Sequence, residues 1–556
     1  MSSLARSLGA AALAALAAAP AGGTTIFVDL VIGPASCASY SAALRTCSGG
    51  SATAYKTMNG AGQAAVASDI VLVRGGTYAA QFAPTASGSA LQPIRMRPYP
   101  GEGVAIQGLS VQALLFAGVS DWVVEGLTVT NVLGWARIVD SSRITLYGNT
   151  FSAATATGTT GAIKIVRGGN HRILGNLVTD GNDNIGIVQS DHNLVQGNTI
   201  TVGRHTLWRI LCGNENVIRR NYFSNPTQKI GEVLDCEGGS DVPILYDATK
   251  RNLVEDNVFD TTAVDDGGGP YNGIQYAGQE GIVRRNVFFG VQGSAIGLAN
   301  YPDEALHNYA NRIYHNVFYD NVGGGTETGN TAALPTEFAD NDLRNNVYWR
   351  NTPMPIGWND DNPGGSQATF RFMGGFRMVA NDLLGENAGE GDVVFAATVL
   401  RSLAQVQSQY PALFVGNLEV LPGFVNASGH DFRLAGGSPL IDAGAFLTVA
   451  ASAGSGTSLQ VTDASYFHDG FGIAGVAGDR IQLAGQTVTA QVVDVLGASD
   501  VLVLDRALTW SAGQGVALAY SGAAPDIGAF EVGLAPLFGD GFESGDTYFW
   551  SSTASP

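Results

Sequence analysis

The sequence predicts an all-β solenoid of stacked short-stranded coils, followed by a small β-domain. Three observations predict it. The middle of the chain repeats one unit, a short β-rich run, an Asn, and a second β-rich run. The runs hold only four to five residues, are β-branched and are broken by Gly and Asn, which excludes a helical repeat. Beyond residue 445 the repeat stops, and strand-like alternation between turn signals replaces it.

Composition agrees. Of 556 residues, 45% are hydrophobic and 14% charged, so the chain buries a core rather than remaining disordered. The 74 Gly show no three-residue period, which excludes collagen. A net charge of −19 argues against nucleic acid as a partner, since polyphosphate binding needs clustered cations. Of 29 basic residues only Lys56, Lys164, Lys229 and Lys250 are lysines.

Residues 1–21 read as a secretory signal peptide. Arg6 supplies the basic start, Leu8 to Ala19 the apolar run, and Ala19-Pro20-Ala21 a small-x-small cleavage site. The run is too short to span a bilayer of roughly 30 Å, and no later stretch is long and apolar enough, so no membrane span is expected. A secreted or cell-surface location follows, and with it disulfides. Cys37 and Cys47, close in sequence, are expected to pair. Cys212 and Cys236 either bond or stack as buried thiols.

The repeat itself reads RITLYGNTF, HRILGNLVT, HNLVQGNTI, ENVIRRNYF, RNLVEDNVF, EGIVRRNVF, NRIYHNVFY and NDLRNNVYW. Its Asn residues are Asn149, Asn176, Asn198, Asn221, Asn257, Asn286, Asn316 and Asn346, spaced 27, 22, 23, 36, 29, 30 and 30 apart. The minimum, near 22, fits three short strands and three turns. Coils stacked at roughly 4.8 Å would put the eight Asn in a column roughly 34 Å long. A repeated Asn suits a left-handed corner, and its amide can bond the Asn above and below.

This pattern resembles the right-handed parallel β-helix proteins of the pectate-lyase-like kind, over roughly residues 26 to 445. AYKTMNGAGQAAVASDIVLVRGGTY looks like an opening cap and first coil; PIRMRPYPGEGVAIQG and WVVEGLTVTNV look like the next coils. The resemblance implies the fold, here assigned to residues 22–445. The architecture hosts lyases, hydrolases, epimerases and inert adhesins, so the activity has to be argued from the site.

GGSPLIDAGA and APDIGAFE resemble the two halves of a motif that closes such helices. Between them, residues 446–523 read as an inserted β-domain whose role is capping or carbohydrate contact. Residues 524–533 form the closing strand. Residues 534–556 resemble a C-terminal tail of exported bacterial proteins, with a sorting or retention role or none. Solenoid ends are usually capped, so a monomer is expected.

The second strand of each coil gives GAIKIVR, NIGIVQ, LWRILC, GEVLDC, NGIQYA and SAIGLA. With apolar positions 163, 165, 185, 187, 274 and 296 inward, the outward row becomes Lys164, Gly186, Trp208, Glu232, Gln275 and Gly297. The longest loops flank this sheet on both sides and form a groove. Trp208 is read as an exposed aromatic that stacks on a sugar, with Arg204, Lys164 and Gln275 as further substrate contacts. Lys229, Arg209 and His205 are the candidate catalytic residues. Glu232, Asp235, Asp241 and Asp265, with Asp266 beside them, suit a Ca2+ site of loop carboxylates. His171, His192 and His315 sit beside ladder Asn and are read as structural.

These residues point first to β-elimination on an acidic, uronate-containing polysaccharide. A cation neutralises the uronate carboxylate, a base removes H5, and the C4 oxygen leaves. In the coil where the alginate and chondroitin β-helix lyases carry their Lys/Arg motif, this chain reads EVLDCEGGSD. Glycoside hydrolysis, C5-epimerisation and a non-catalytic adhesin or glycan-binding role remain as alternatives.

Overall fold

A computed structural model describes residues 23–156, 162–235, 248–264, 271–298, 308–328, 338–351, 368–370, 375–385, 393–395 and 399–534. Residues 1–21 and the tail beyond 534 therefore lie outside the described residues.

Short strands stack in parallel into three faces. The first face carries the strand before each ladder Asn. Its central inward row runs Ile26, Val71, Met96, Val124, Leu146, Ile173, Val195 and on to Phe414, one residue per coil. The second face carries the strand after the Asn. Its inward row includes a stack of aromatics, Phe223, Phe259, Phe288, Phe318 and Tyr348, with successive ring centroids 5.1, 4.3, 5.3 and 4.7 Å apart, and continues to Leu383. The third face carries the second strands, with Ile165, Ile187, Ile210, Val233, Tyr276 and Leu298 in register. All three rows meet in one dry core. The alternation of inward and outward residues follows from the two-residue period of the strand.

The Asn column is longer than the repeat suggests. Asn149 donates its amide to Asn176 at 3.1 Å, and the chain of such bonds continues through Asn346 to Asn381 and Asn417, two rungs beyond the eight expected. Each amide also donates to a backbone carbonyl, as Asn257 does to Ile218 at 2.9 Å. Each carboxamide oxygen also accepts the preceding rung's backbone N–H, as Asn257 does from Asn221 and Asn286 from Asn257. Every polar atom of these buried side chains is thus used. The left-handed corner, however, is not the Asn. It is the residue before it, from Gly148 (φ 61°) through Arg220 (φ 53°), Asp256 (φ 56°) and His315 (φ 55°) to Gly416 (φ 61°). The Asn holds the corner from inside; its neighbour makes the turn.

The N-terminal end is closed by the helix Met58–Ala64, capped by the Thr57 hydroxyl, which buries Met58 and Ala61. Beside it the antiparallel hairpin of Ser36–Tyr40 with Ala52–Tyr55 encloses the Cys37–Cys47 disulfide, as expected. Cys212 is buried; its expected partner Cys236 lies outside the described residues.

The C-terminal domain is a six-stranded antiparallel sheet spanning Thr448–Val449 to Gly515–Leu518. It does not cap the helix end. It lies along the flank, where its core joins outward apolar residues of the first face: Leu194, Val217, Leu253 and Ile282. The cause is legible in the strands themselves. Their outer positions are apolar where a solvent-facing strand would be polar. The two halves of the closing motif meet through carboxylates. Asp442 accepts from the Ala523 N–H at 2.7 Å, and Asp526 from the Asp442 N–H at 2.8 Å. Glu531 accepts from the Ser521 and Asp526 N–H groups at 2.9 and 3.0 Å.

Candidate functional site

The site forms on the outer side of the third face, around a one-residue irregularity. The strands Leu177–Val188 and Thr199–Leu211 pair in register as far as Gly181 and Gly203, then resume as Asp183 opposite Thr206. The second strand holds one extra residue, so a bulge falls at Arg204 and His205. Asn225 braces it, accepting from the Gly203 N–H at 3.0 Å, while the Thr227 hydroxyl donates to the Gly203 carbonyl at 2.7 Å.

The bulge changes which residues face out. Ile185 pairs with Trp208, and Gly186 with Arg209. The outward row is therefore Arg137, Lys164, Gly186, Arg209, Glu232, Gln275 and Gly297, followed by Glu327. Trp208 does not stack on a sugar as expected. It points inward, is 1% exposed and packs 6.2 Å from the Phe223 ring. It fits there because the next rung is Gly231, where a Cβ would fall 2.4 Å from the indole Cζ2.

The same bulge gathers charge. His205 Nδ1 lies 2.6 Å from Asp183 Oδ1, which also accepts from the Thr206 hydroxyl at 3.1 Å. Arg209 Nη1 lies 3.3 Å from Asp183 Oδ2, and Arg209 Nε lies 3.2 Å from Glu232 Oε2. The second Glu232 oxygen takes the ammonium of Lys229, which also donates to Gln275 at 3.0 Å. Burial pushes the Asp183 carboxyl up, but the His205 hydrogen bond and the Arg209 charge outweigh it and hold it below the ordinary range. Asp183 is fully buried, while the His205 side chain is a third exposed. The imidazole is thus fixed by one nitrogen, and part of the ring stays exposed.

The expected catalytic residues Lys229, Arg209 and His205 therefore come together, with Glu232 and Gln275 between them. Lys164 is buried two rungs from Arg209, across the side-chain gap at Gly186. Arg204 turns aside: it pairs with Asp180 at 2.7 Å and donates to the Ala154 carbonyl. Of the carboxylates read as a Ca2+ site, Glu232 is taken by two cations. Asp235 is buried and accepts from the Thr249 N–H at 2.8 Å. Asp241, Asp265 and Asp266 lie outside the described residues. Among the described residues no group of three or more His, Cys, Asp or Glu is placed to hold a metal ion. Asp183, the anchor of the cluster, was not among the expected site residues. The available signal was a spacing of 23 between Asn198 and Asn221 after one of 22, the extra residue being the bulge.

The three-faced stack and its Asn column settle the architecture. The chain is a parallel β-helix. No family model matches it, and no curated protein does. Among solved structures, pectate lyase Pel9A is similar at 12% identity and a TM-score of 0.42, over 92% of this chain and 97% of that one. A mannuronic acid specific polysaccharide family 6 lyase from human gut microbiota gives 14%, 0.40, 67% and 90%. The GH136 lacto-N-biosidase from Eubacterium ramulus gives 12%, 0.38, 64% and 64%. Likeness at this level carries nothing about reaction or substrate. No described helix of the β-helix protein is long and apolar enough to cross a membrane.

Proposed function

We propose that this β-helix protein is a polysaccharide lyase that cleaves an acidic, uronate-containing chain by β-elimination, with His205 as the base. The observation that carries the reading is the bulge-borne imidazole, fixed by buried Asp183 through one nitrogen and partly exposed, beside the cations of Arg209 and Lys229. Of the three candidate bases, Arg209 carries a guanidinium that does not give up its proton. Lys229 spends its ammonium on Glu232 and Gln275, so no lone pair is free. His205 remains.

In this reaction the uronate carboxylate lies against Arg209 and Lys229, which stabilise the negative charge that builds as H5 is removed. His205 Nε2 takes H5. The C5–H electron pair becomes the C4–C5 double bond, the C4–O bond breaks with its electrons on the leaving oxygen, and that oxygen takes a proton from solvent. The Gly186 gap between Lys164 and Arg209 leaves room for a sugar ring over the row. Glycoside hydrolysis is less well supported. It needs two accessible carboxylates flanking the bond, and Asp183 and Glu232 are both buried against one guanidinium. An aromatic binding platform loses its main member with Trp208. Ca2+ from the loop carboxylates belongs to the same proposal as an aid to carboxylate neutralisation. The Cys37–Cys47 disulfide supports export.

The test is the ultraviolet absorbance of the unsaturated uronate, measured on alginate, pectate and glycosaminoglycans with Ca2+ and with chelator. A rise on one substrate supports elimination and names its class, and loss on chelation adds the metal. No rise on any of them, from folded protein, contradicts the proposal.

A further inference from the structure

A cavity lies between the outer side of the first face and the C-terminal domain, with a volume of about 780 Å3. Pockets that hold small organic ligands run from roughly 300 to 1,000 Å3. Six arginines and four carboxylates line it, on a chain whose net charge is −19. Three of the arginines are consumed by structure. Arg284 forms two-pronged bonds to Asp479 and Glu255. Arg285 bonds Asp256 and Glu255, and Arg219 bonds Gln196 and the Gly475 carbonyl. A fourth, Arg433, pairs with Asp431 on its own strand.

Two are left with donors to spare. Arg220 stands at a left-handed corner of the Asn column. Its Nε is buried without a hydrogen bond, and the nearest carboxylate oxygen, of Asp256, is 3.8 Å away. Arg480 reaches the cavity from the C-terminal sheet, and among the described residues its guanidinium has a hydrogen bond only to the Thr489 hydroxyl, at 3.3 Å. Against them the fourth carboxylate is weak: burial pushes Glu531 up to about 7. Leu518, Pro525 and Phe530 supply an apolar wall.

We propose that this junction is a binding site for a small carboxylated sugar of about disaccharide size, its carboxylate held between Arg220 and Arg480 and its ring face on the apolar wall. The preference for an anion follows from the spare guanidinium donors, which bind planar carboxylates through two parallel bonds. The choice of a uronate rests on the proposed lyase reading. The site is separate from the His205 cluster, which lies on the third face, so it serves as a second, non-catalytic subsite for substrate or product.

Calorimetric titration of the full chain with digalacturonate and with uncharged galactobiose tests it, beside the Arg220→Gln/Arg480→Gln double variant and the His205→Gln variant. Charge-assisted hydrogen bonds to carboxylate predict digalacturonate binding about tenfold or more tighter than galactobiose. They also predict that the double variant loses that margin while its thermal unfolding is unchanged and that the cavity's digalacturonate affinity survives in His205→Gln. Should the double variant unfold early, Arg480→Gln alone, on an exposed strand, must weaken binding about threefold. Equal binding of the two sugars, parental affinity in the variants, or loss of binding in His205→Gln instead would overturn the proposal. Elimination without cavity binding would sink this inference alone, and cavity binding without elimination would sink the lyase reading alone.

Discussion

Two outward rows of the same solenoid pair charges of opposite sign across neighbouring coils, and they end differently. On the first face the row runs Gln196, Arg219, Glu255, Arg284, Tyr314 and Arg344. On the third it runs Lys164, Gly186, Arg209, Glu232, Gln275, Gly297 and Glu327. The first lies under the C-terminal sheet, with Arg219, Glu255 and Arg284 along the wall of the cavity between them. Arg284 is 1% exposed there and bonds Glu255, Asp479, the Tyr314 hydroxyl and His468. The third is cut by glycines and carries looser pairs. Arg209 Nε and Glu232 Oε2 are 3.2 Å apart yet are not aligned as a hydrogen bond. The comparison shows that a cross-rung charge pair is a neutral device. Covered and fully bonded, it fastens a domain; open at one imidazole and imperfectly paired, it is available to a substrate.

The contrast can be broken or sharpened by substitution. The largest structural effect is expected at Arg284→Met, which leaves Glu255 and Asp479 buried without their shared cation. Removing one partner of a buried pair costs about 3–5 kcal/mol. Urea unfolding should show that loss, with elimination per folded molecule unchanged; a loss below about 1 kcal/mol would mean the clamp is dispensable. Next comes Asn257→Ala in the column between the two rows. It strands the Asn221 backbone N–H and amide, which both bond the Asn257 oxygen at 3.0 Å, and about 2–3 kcal/mol should be lost.

The last effect is graded and depends on pH. Burial lowers His171 to about 4 and His315 to about 3, so both are neutral when folded and protonate more readily when unfolded. Their contribution is complete above about 6.5 and is lost as pH falls from there towards 4, at up to about 1.4 kcal/mol per pH unit for each imidazole. Burial alone would raise Asp479 and Glu255, but the Arg284 charge holds both below the ordinary carboxylate range. Their share persists above that range and disappears only as pH falls below about 4. Thermal unfolding between pH 7 and 3 should therefore decline in two stages, and His171→Gln should flatten the first. A single transition below pH 4 would contradict the assignment.

Much of the fold was legible because its physics is local. Each coil repeats its own strand, Asn and strand, and the column needs an amide at that position. The corner was misassigned by one residue, since the left-handed turn falls on Gly148, Arg220 or His315, whose side chains advertise nothing common. The flank-lying C-terminal domain was not anticipated. Its surface is marked only by apolar outer positions such as Leu194 and Leu253, which single strands do not distinguish from core. The candidate site was half legible. His205, Arg209, Lys229 and Glu232 stood out by type and loop position. Trp208 was misplaced because a one-residue bulge flips every residue beyond it, and Asp183 because its value lies only in its distance to His205.

The central claim is that the third-face row performs chemistry through His205 while the first-face row does not. The direct measurement is the unsaturated-uronate absorbance of His205→Gln beside Asp183→Asn, each with its unfolding midpoint. Loss of a positioned base predicts a fall of roughly 10²–10⁴-fold in kcat for His205→Gln with the midpoint unchanged, and a smaller fall for Asp183→Asn. A His205→Gln protein that keeps parental elimination would contradict the account.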